Sequence, residues 1–326
     1  MKDLLASGVT AHVIGRNVIE LRGHINLFRL YELAYRSVTL RDIVSVLSVT
    51  DFSDCLSNLS GSRDARVPLP QGVRYLFINN PEGKPPSWLL DCLLKKLSLE
   101  EELSRDKIYP KEQRYYLIVD FREKKAYWGV LLRSIRRDRF IYRSPEKRAF
   151  VQFSALSPKM ALFLVNLSSQ PFSLEASGTF LDPFCGSGGN LIEAALLGFY
   201  AVGIEVYYRP IRGARRNAIQ YNLYGNIDFI LADAAFPPLR EKSFNAIAFD
   251  PPYGRLAPVK SEKAHELLLN FLRQVRFILK EEGKCVFLYP RDFIREKLIE
   301  MGFKEKCCIF EHSRLTRCVW CLGDEC

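Results

Sequence analysis

The chain lacks a long uninterrupted apolar run, although hydrophobic residues make up 48% of its 326 positions. Its longest apolar stretch, around residues 191–206, is interrupted by Glu193 and Glu205, so we expect no membrane-spanning helix. The N-terminal sequence has no basic start followed by an apolar block, which predicts a cytoplasmic protein without a secretory signal. The length is sufficient for two or more domains, each with its own core.

Cysteine pairs with metal-ligand spacing are also scarce. Cys318 and Cys321 have C-x-x-C spacing, and no second such pair occurs among the nine cysteines. A zinc site is one interpretation, because other candidate ligands are near in sequence: Cys307, Cys308, His312 and Cys326. However, Cys318-Val-Trp-Cys321 has the composition of an apolar strand, on which the two cysteines would point to opposite faces. We therefore expect no metal, and an intracellular disulfide of the kind found in hyperthermophiles is the competing interpretation.

Acidic residues are outnumbered by basic ones, and the formal net charge is +10. Most of the excess lies between Arg114 and Arg148, where 11 Lys or Arg residues face 4 Asp or Glu residues, a local net charge of +7. A single charged run is often only a solvated surface. An excess this concentrated also fits a polyanionic partner such as nucleic acid.

From Thr179 onward, apolar strands alternate with amphipathic helices. This alternation predicts an α/β domain with a mostly parallel, seven-stranded sheet whose last strand is antiparallel. Two small α+β units are expected before it. The first is a strand, a helix and a strand within residues 18–52, and the second has a strand at 73–78, a helix at 87–96 and a hairpin within 115–132. Pro158 predicts the start of a helix that links these units to the last domain.

Acidic residues follow the first three strands of the predicted parallel sheet. Asp182 precedes a Gly-rich turn that has neither the Gly-Lys-Ser/Thr of a phosphate loop nor G-x-G-x-x-G spacing. Glu205 ends the second strand, where an acid can accept hydrogen bonds from ribose hydroxyls, and Asp233 follows the third. Ligands bind at the carboxyl ends of such strands, so the combination predicts a bound adenosine without a dinucleotide's phosphates, as in S-adenosylmethionine.

The fourth strand ends in Asp250-Pro251-Pro252-Tyr253. The Asp250 carboxylate and the Pro251 carbonyl can accept hydrogen bonds from an aromatic amine, which raises its nucleophilicity. The prolines hold these acceptors in place, and Tyr253 can stack on a flat base that has left its helix. Alone, this sequence could be only a stiff turn, but its place after three acidic strand ends predicts a methyl-transfer site. Cys185 lies in the predicted cofactor turn, which disfavours a covalent cysteine mechanism.

Several segments resemble the archaeal tRNA (guanine-N2)-dimethyltransferases that act at position 10, which are Rossmann-like class I methyltransferases with a THUMP domain. The similar segments are LDPFCGSGGNLIEA, GIEV, LADA and DPPYGR, the tail HSRLTRCVW, and the stretch from YRSPEKRAF to SALSPKMALFLVNLSS. The resemblance extends from about residue 111 to the C-terminus. The DPPY motif also occurs in DNA adenine methyltransferases, so the substrate inference depends on the other segments.

The resemblance implies a role for each matching residue. The expected cofactor-binding residues are Asp182, Pro183, Gly186, Ser187, Gly188, Glu205, Asp233, Ala234 and Asp250, with Ser157 and Lys159 from the stretch before the domain. The expected catalytic residues are Asp250, Pro251, Pro252 and Tyr253. It further implies a ferredoxin-like domain at 1–62, a THUMP-like RNA-binding domain at 63–145, a linker helix at 146–170 and a methyltransferase domain at 171–326.

The sequence thus predicts a monomeric, metal-independent enzyme that methylates N2 of a guanosine in tRNA with S-adenosylmethionine. One alternative is a DNA adenine-N6 methyltransferase, although the chain has no helix-turn-helix or zinc-finger pattern. A second is a non-catalytic tRNA-binding subunit, and a third, within the family, is methylation of guanosine 6. The sequence leaves the choice between one and two added methyl groups open.

Overall fold

The computed structural model describes residues 10–15, 18–22, 42–57, 73–78, 87–96, 115–135, 138–152, 155–169, 178–253, 261–290, 294–312 and 315–323. The chain divides into two compact units, Met1–Arg136 and Arg137–Cys326. Among the described residues, no helix is both long and apolar enough to cross a membrane.

The first unit contains a four-stranded sheet and a separate pair of strands. Its described elements are β1 (Thr10–Gly15), β2 (Val18–Arg22), β3 (Asp42–Asp51), α1 (Ser53–Ser57), β4 (Val73–Ile78), α2 (Ser87–Lys96), β5 (Tyr115–Asp120) and β6 (Lys125–Ser134). Strands β1 and β2 pair antiparallel. The larger sheet has the order β3-β6-β5-β4, with β4 and β5 parallel and the other neighbours antiparallel.

The predicted hairpin between β5 and β6 is confirmed, and it organises the core of this unit. Lys124 takes the left-handed backbone conformation, with φ at 53°, that closes the tight turn. Leu117 and Trp128 lie opposite each other on the two strands and face the same side of the sheet, where they pack with Leu93 of α2. A disulfide between Cys55 and Cys92 joins α1 to α2.

The predicted division at residue 62 falls between strands of one sheet. Strand β3 lies before residue 62, and it pairs along its length with β6, which lies after residue 63. The helix expected around 27–39 lies outside the described residues. The division of the chain into four segments stays a prediction. The structure divides the chain into two compact units, with the boundary between Arg136 and Arg137.

The second unit is an α/β domain with one seven-stranded sheet. After α3 (Asp138–Tyr142), its described elements are α4 (Pro158–Ser168), β7 (Thr179–Asp182), α5 (Gly189–Leu196), β8 (Tyr200–Glu205), α6 (Tyr208–Gln220), β9 (Ile227–Leu231), β10 (Phe244–Phe249), α7 (Ser261–Ile278), β11 (Leu279–Pro290), α8 (Arg295–Glu300), β12 (Lys304–His312) and β13 (Leu315–Leu322). Short 3-10 turns at Pro145–Lys147 and Tyr224–Asn226 complete it.

The strand order is β12-β13-β11-β10-β7-β8-β9. Neighbours from β11 to β9 are parallel, and β13 runs antiparallel between β11 and β12. This confirms the predicted Rossmann-like methyltransferase fold. Each face of the sheet has its own apolar core, with Leu181 and Phe249 on one and Phe180 and Ala248 on the other.

Helix α4 begins where the sequence predicts. Ser157 caps it by accepting a hydrogen bond from the Met160 backbone N–H at 3.3 Å, and Pro158 occupies the first turn. Leu164 and Val165 of this helix are buried against the sheet, within the second unit. The expected linker helix is therefore part of the core of the compact unit that contains the sheet.

The C-terminal hairpin carries disulfides. Cys318 and Cys321 face opposite sides of the sheet, as predicted from their spacing. Cys318 pairs with Cys308 across the two strands, and Cys321 is disulfide-bonded as well. Glu305, Cys308 and Cys318 lie within reach of one ion, but the two sulfur atoms are bonded to each other and are not thiolate ligands.

Candidate active site

Four acidic side chains meet the carboxyl edge of the sheet. Asp182 ends β7, Glu205 ends β8, Asp233 follows β9 by two residues and Asp250 follows β10 directly. These strands are consecutive neighbours in the parallel part of the sheet, in the order β10-β7-β8-β9. The strand order reverses beside β7, which places Asp182 at the switch point where open α/β sheets bind ligands.

Asp182 is the most buried of the four, with only 2% of its surface exposed. Its Oδ1 accepts a hydrogen bond from the Phe184 backbone N–H, and its Oδ2 accepts one from the Asn190 amide, both at 3.0 Å. Burial raises the pKa of Asp182 to about 7, and the negative charges of Asp250 and Glu205 act in the same direction. This site would therefore gain electrostatically from a bound cation.

The turn between β7 and α5 requires glycine. Gly186 and Gly188 have φ angles of 49° and 82°, which glycine adopts without the strain that a Cβ atom adds. On the adjacent strand, a Cβ at Gly203 would lie 2.8 Å from the Cys185 Sγ atom, so only glycine lets the turn approach β8 so closely. The turn is anchored there by the Cys185 N–H, which donates to the Ile204 carbonyl at 3.0 Å. Pro183 and Ser187 are buried within it.

The second and third acids are more open to solvent. Glu205 is half-buried and accepts a hydrogen bond from the Tyr207 N–H at 2.9 Å, and its burial raises its pKa. Asp233 is exposed and accepts a hydrogen bond from the Ala235 N–H at 2.8 Å, beside the buried Ala234. Each carboxylate keeps acceptor capacity for a ligand, since a carboxylate has about four lone-pair sites.

Asp250 pairs with a residue from a distant part of the chain. The Arg317 Nη1 atom donates a hydrogen bond to Asp250 Oδ2 at 2.8 Å. Both side chains are largely buried, at 9% exposed for Arg317 and 14% for Asp250. The guanidinium carbon also lies 5.8 Å from the centre of the Tyr253 ring, within cation–π range.

The motif after β10 forms a partly buried apolar wall. Pro251 is buried, Pro252 is half-buried, and the Tyr253 ring meets the Tyr289 ring edge to face at 6.0 Å. This places an ionic acceptor and an aromatic face together. The arrangement can hold a flat ring by one amine-bearing edge.

The cofactor predicted from the sequence fits these residues. A Gly-rich turn, a buried carboxylate and two more open carboxylates follow one another along β7, β8 and β9. They suit a ligand with a cationic amino-acid end, a ribose and an adenine, which is the chemistry of S-adenosylmethionine. None of these residues forms a phosphate-binding loop.

The UPF0020 family model, described as "RMKL-like, methyltransferase domain", matches residues 145–314, which is slightly more than half of the chain. The chain belongs to this methyltransferase family.

Relatives of this UPF0020 chain include named tRNA methyltransferases. It is 36% identical over 187 residues to a tRNA (guanine(10)-N2)-dimethyltransferase of Methanothermobacter thermautotrophicus, a match that covers 57% of this chain and 54% of that protein. It is 27% identical over 308 residues to the protein of the same name from Methanocaldococcus jannaschii, covering 90% of this chain and 82% of the relative. The chain therefore spans about half of the length of the first of these relatives.

A solved structure supports the fold. The structure of TrmN from Thermus thermophilus superposes with a TM-score of 0.51 and 20% identity, over 94% of this chain and 88% of that one.

The sequence did not predict that a segment before α4, residues 150–152, packs against α6 and the Gly-rich turn. Phe150 packs on Gly213 of α6, and its backbone N–H donates to the Asn217 Oδ1 at 2.8 Å. Asn217 in turn donates to the Ser187 carbonyl of the turn at 2.9 Å. A Cβ at Gly186 would lie 2.8 Å from Gln152 Oε1. The segment lies close in sequence to the predicted start of α4, which was the available signal. Its contacts are with residues far away in the sequence, so the sequence did not indicate them.

Two predicted cofactor residues make other contacts. Ser157 caps α4, and the Lys159 amino group lies 5.8 Å from the centre of the Phe140 ring. Both are exposed, and their role in cofactor binding stays a prediction. Cys185 is buried, and this burial raises the pKa of its thiol well above its usual value. A thiol held neutral in this way is unsuited to act as a nucleophile.

Proposed function

We propose that this chain transfers a methyl group from S-adenosylmethionine to N2 of a guanosine in tRNA, with guanosine 10 as the target. The observation that carries the proposal is the Asp250-Pro251-Pro252-Tyr253 motif at the end of β10, beside three acidic strand ends of a UPF0020 methyltransferase sheet. The names of the relatives from two archaea support tRNA and guanosine 10.

The cofactor residues divide the work by position. Asp182 and the turn from Gly186 to Gly188 would hold the methionine part, Glu205 the ribose hydroxyls and Asp233 the adenine amine. The negative charge at Asp182 favours a cationic group. When bound, the cofactor would supply an electrophilic methyl group.

Asp250 would act on the substrate amine. The lone pair of an exocyclic amine on guanine is delocalised into the ring, so the amine is a weak nucleophile until its hydrogens are bonded to strong acceptors. The Asp250 carboxylate and the Pro251 carbonyl would accept these hydrogens as the nitrogen becomes pyramidal. The methylated amine is far more acidic than the amine before transfer, so a carboxylate suffices to take the released proton.

The rest of the chain would bind the RNA. The exposed basic residues between Arg114 and Arg148 would contact phosphates and fix the orientation of the tRNA, while the pocket at Tyr253 takes one flipped base. We propose a THUMP-like and a ferredoxin-like domain before the methyltransferase domain. We also propose that the enzyme acts as a monomer, without a metal, in the cytoplasm.

The test uses the full-length protein, labelled S-adenosylmethionine and unmodified tRNA. We expect label in N2-methylated guanosine, mapped to position 10 by mass spectrometry of RNA fragments. Asp250→Asn should reduce transfer on the order of 1,000-fold, because the neutral amide oxygen is a weaker acceptor than the carboxylate and cannot take the released proton, while tRNA and cofactor affinities stay within a few-fold.

Asp228→Asn is the matched control, because Asp228 is an exposed acid on β9 that bonds the Tyr200 hydroxyl. Its transfer rate should equal that of the wild type. Label in adenine of duplex DNA, label at guanosine 6, or cofactor binding without any transfer would each overturn the proposal in favour of a named alternative.

A further inference from the structure

Arg317 is a buried cation at the carboxyl edge of the sheet. It lies on β13 opposite Pro290 of β11, so its side chain reaches past the end of β11 to the residue that follows β10. Its bond to Asp250 Oδ2 at 2.8 Å joins positions that are 67 residues apart in the chain. It is the one charged residue of the otherwise mostly apolar strand LTRCVWCL.

Stability alone does not account for this ion pair. Taking two charges out of water offsets most of their attraction, and apolar side chains of similar volume often stabilise a protein as well or better. The pair between Arg295 and Glu305 in the same unit differs, because the Arg295 side chain is 52% exposed. Such an exposed pair costs little desolvation and contributes little to stability. A costly buried pair at the proposed methyl-transfer site therefore points to a role in that site.

We infer that Arg317 is a positioning residue that holds the Asp250 carboxylate in one orientation for the substrate amine. This inference rests on the proposed function. A planar guanidinium can bond a carboxylate and lie against an aromatic ring at the same time, which a lysine ammonium does less well. Arg317 does both, because it contacts Asp250 and lies within cation–π range of Tyr253.

The test compares Arg317→Ala, Arg317→Lys and the wild type, all as full-length protein. We expect kcat for methyl transfer to fall about 100-fold in Arg317→Ala, since small misplacements of a reacting group cost rates of this order. In Arg317→Lys, which keeps the positive charge but not the planar guanidinium, kcat should fall about 10-fold. The cofactor Kd and the KM for tRNA should change less than about 3-fold in both variants, because the inferred role of Arg317 is to position Asp250 and not to bind either ligand.

Chemical rescue distinguishes positioning from a structural role. Guanidinium chloride at non-denaturing concentration should raise the rate of Arg317→Ala roughly 5-fold, by restoring a charged hydrogen-bond donor to the Asp250 carboxylate, and leave Asp250→Asn unchanged. Arg295→Gln is the matched control, because it breaks an exposed ion pair of the same unit, and its rate should stay at the wild-type value.

Two results would overturn the inference. One is an Arg317→Ala protein with wild-type kcat. The other is a rate loss that accompanies equal loss of cofactor binding and does not respond to guanidinium, which would make Arg317 a structural residue only. A wild-type protein that methylates no tRNA refutes the proposed function instead, so the two failures are distinguishable.

The outer face of α6 carries a separate feature, a stripe of arginines without acids. In YRPIRGARRNAIQ, four arginines and no Asp or Glu occur, and Arg209, Arg212 and Arg216 are exposed. At 3.6 residues per turn these three lie within about 60° of arc along about 10 Å of helix. Among the described residues, none of the three forms an ion pair.

The stripe lies next to the site, and aromatic rings accompany it. Helix α6 begins three residues after Glu205, and its opposite face holds Ala214 against Gly188 of the cofactor turn. Tyr208 is 65% exposed at its start. The Arg215 guanidinium, on the same helix, stacks on the Tyr224 ring at 4.8 Å.

We infer that this arginine stripe contacts the phosphates of the tRNA substrate, an inference that also rests on the proposed function. Exposed arginines beside exposed aromatic rings match a nucleic-acid backbone in charge and in chemistry. The stripe would add a contact within the methyltransferase unit to the contacts expected from residues 114–148.

The test is the triple variant R209Q/R212Q/R216Q in the full-length protein. Because each phosphate contact releases counterions, the slope of log K for tRNA against log salt should become shallower by about 2 to 3. The KM for tRNA should rise about 10-fold, with cofactor Kd unchanged.

The control is R273Q/K297Q/K306Q, which removes three charges from other elements of the same unit and should leave the slope close to the wild-type value. Equal slopes for the two triple variants would overturn the inference. A slope change without any tRNA methylation by the wild type would leave the arginine stripe as an RNA contact and refute only the proposed reaction.

Discussion

Protonation of Asp182 should make the stability of the methyltransferase unit depend on pH in a specific way. Its pKa is about 7 in the native state, because the carboxylate is buried beside other acids, and about 3.9 in an unfolded chain. The folded state therefore holds this proton more tightly. The resulting stabilisation is complete below about pH 4 and is lost as the pH rises through about 7.

The size of this effect follows from the two pKa values. Between about pH 5 and pH 8 the native state loses about 3 kcal/mol of the contribution from this one group. Asp182→Asn should lack this dependence. In that variant the amide oxygen of the introduced side chain can accept from the Phe184 N–H, and Asn190 can rotate its amide, whose Oδ1 has no hydrogen-bond partner among the described residues.

The assay is denaturant unfolding at about pH 5 and pH 8, followed by the fluorescence of Trp320, which is fully buried in the second unit. Trp88 and Trp128, both in the first unit, are replaced by phenylalanine so that one signal remains. The difference in unfolding free energy between wild type and Asp182→Asn should change by about 3 kcal/mol between the two pH values. Parallel pH dependences would refute the reasoning, because Asp182 would then titrate alike in both states.

Three further outcomes follow from the site and the hairpin. Cofactor affinity should be about 10-fold weaker at pH 6 than at pH 8 in the wild type, because binding favours ionised Asp182. In Asp182→Asn the affinity should be nearly the same at the two pH values. Calorimetry in two buffers should show proton release on binding only in the wild type. Gly203→Ala should destabilise the protein by about 1–3 kcal/mol in thermal unfolding, as overpacking does. Gly225→Ala should be neutral, because a Cβ there would have no described residue within 4 Å. Cys308→Ser should lower stability by about 2–3 kcal/mol through loss of the bond to Cys318; an unchanged melting temperature in that variant would contradict the disulfide.

Local sequence signals predicted most of the methyltransferase unit. The helix at Ser87–Lys96 and the strand at Val73–Ile78 of the first unit also match the predicted ranges. These elements have signals within a few residues, such as the Ser-Pro start of α4 and the Gly-rich turn before α5.

Features that depend on non-local pairing could not be predicted in the same way. Nothing near Asp42 indicates that β3 pairs with β6, about 80 residues later, across an expected domain boundary. The ion pair of Asp250 with Arg317 has the same origin, because one charge in an apolar strand has many candidate partners until the strand order is known. The contact of Phe150 with Gly213 is a third case. A glycine within a helix indicates that another group packs closely against it, but the sequence does not identify that group.

The position of β13 has a consequence for how the chain is synthesised and folds. This strand inserts between β11 and β12, both of which precede it in the chain. Asp250, the cofactor turn and most of the sheet can therefore be synthesised and begin to fold before Arg317 exists. Until β13 is in place, β11 has an unpaired edge and Asp250 lacks its cation, so a chain that stops early should be both aggregation-prone and inactive. With the role proposed for Arg317, completion of the sheet and acquisition of the proposed activity would be the same event.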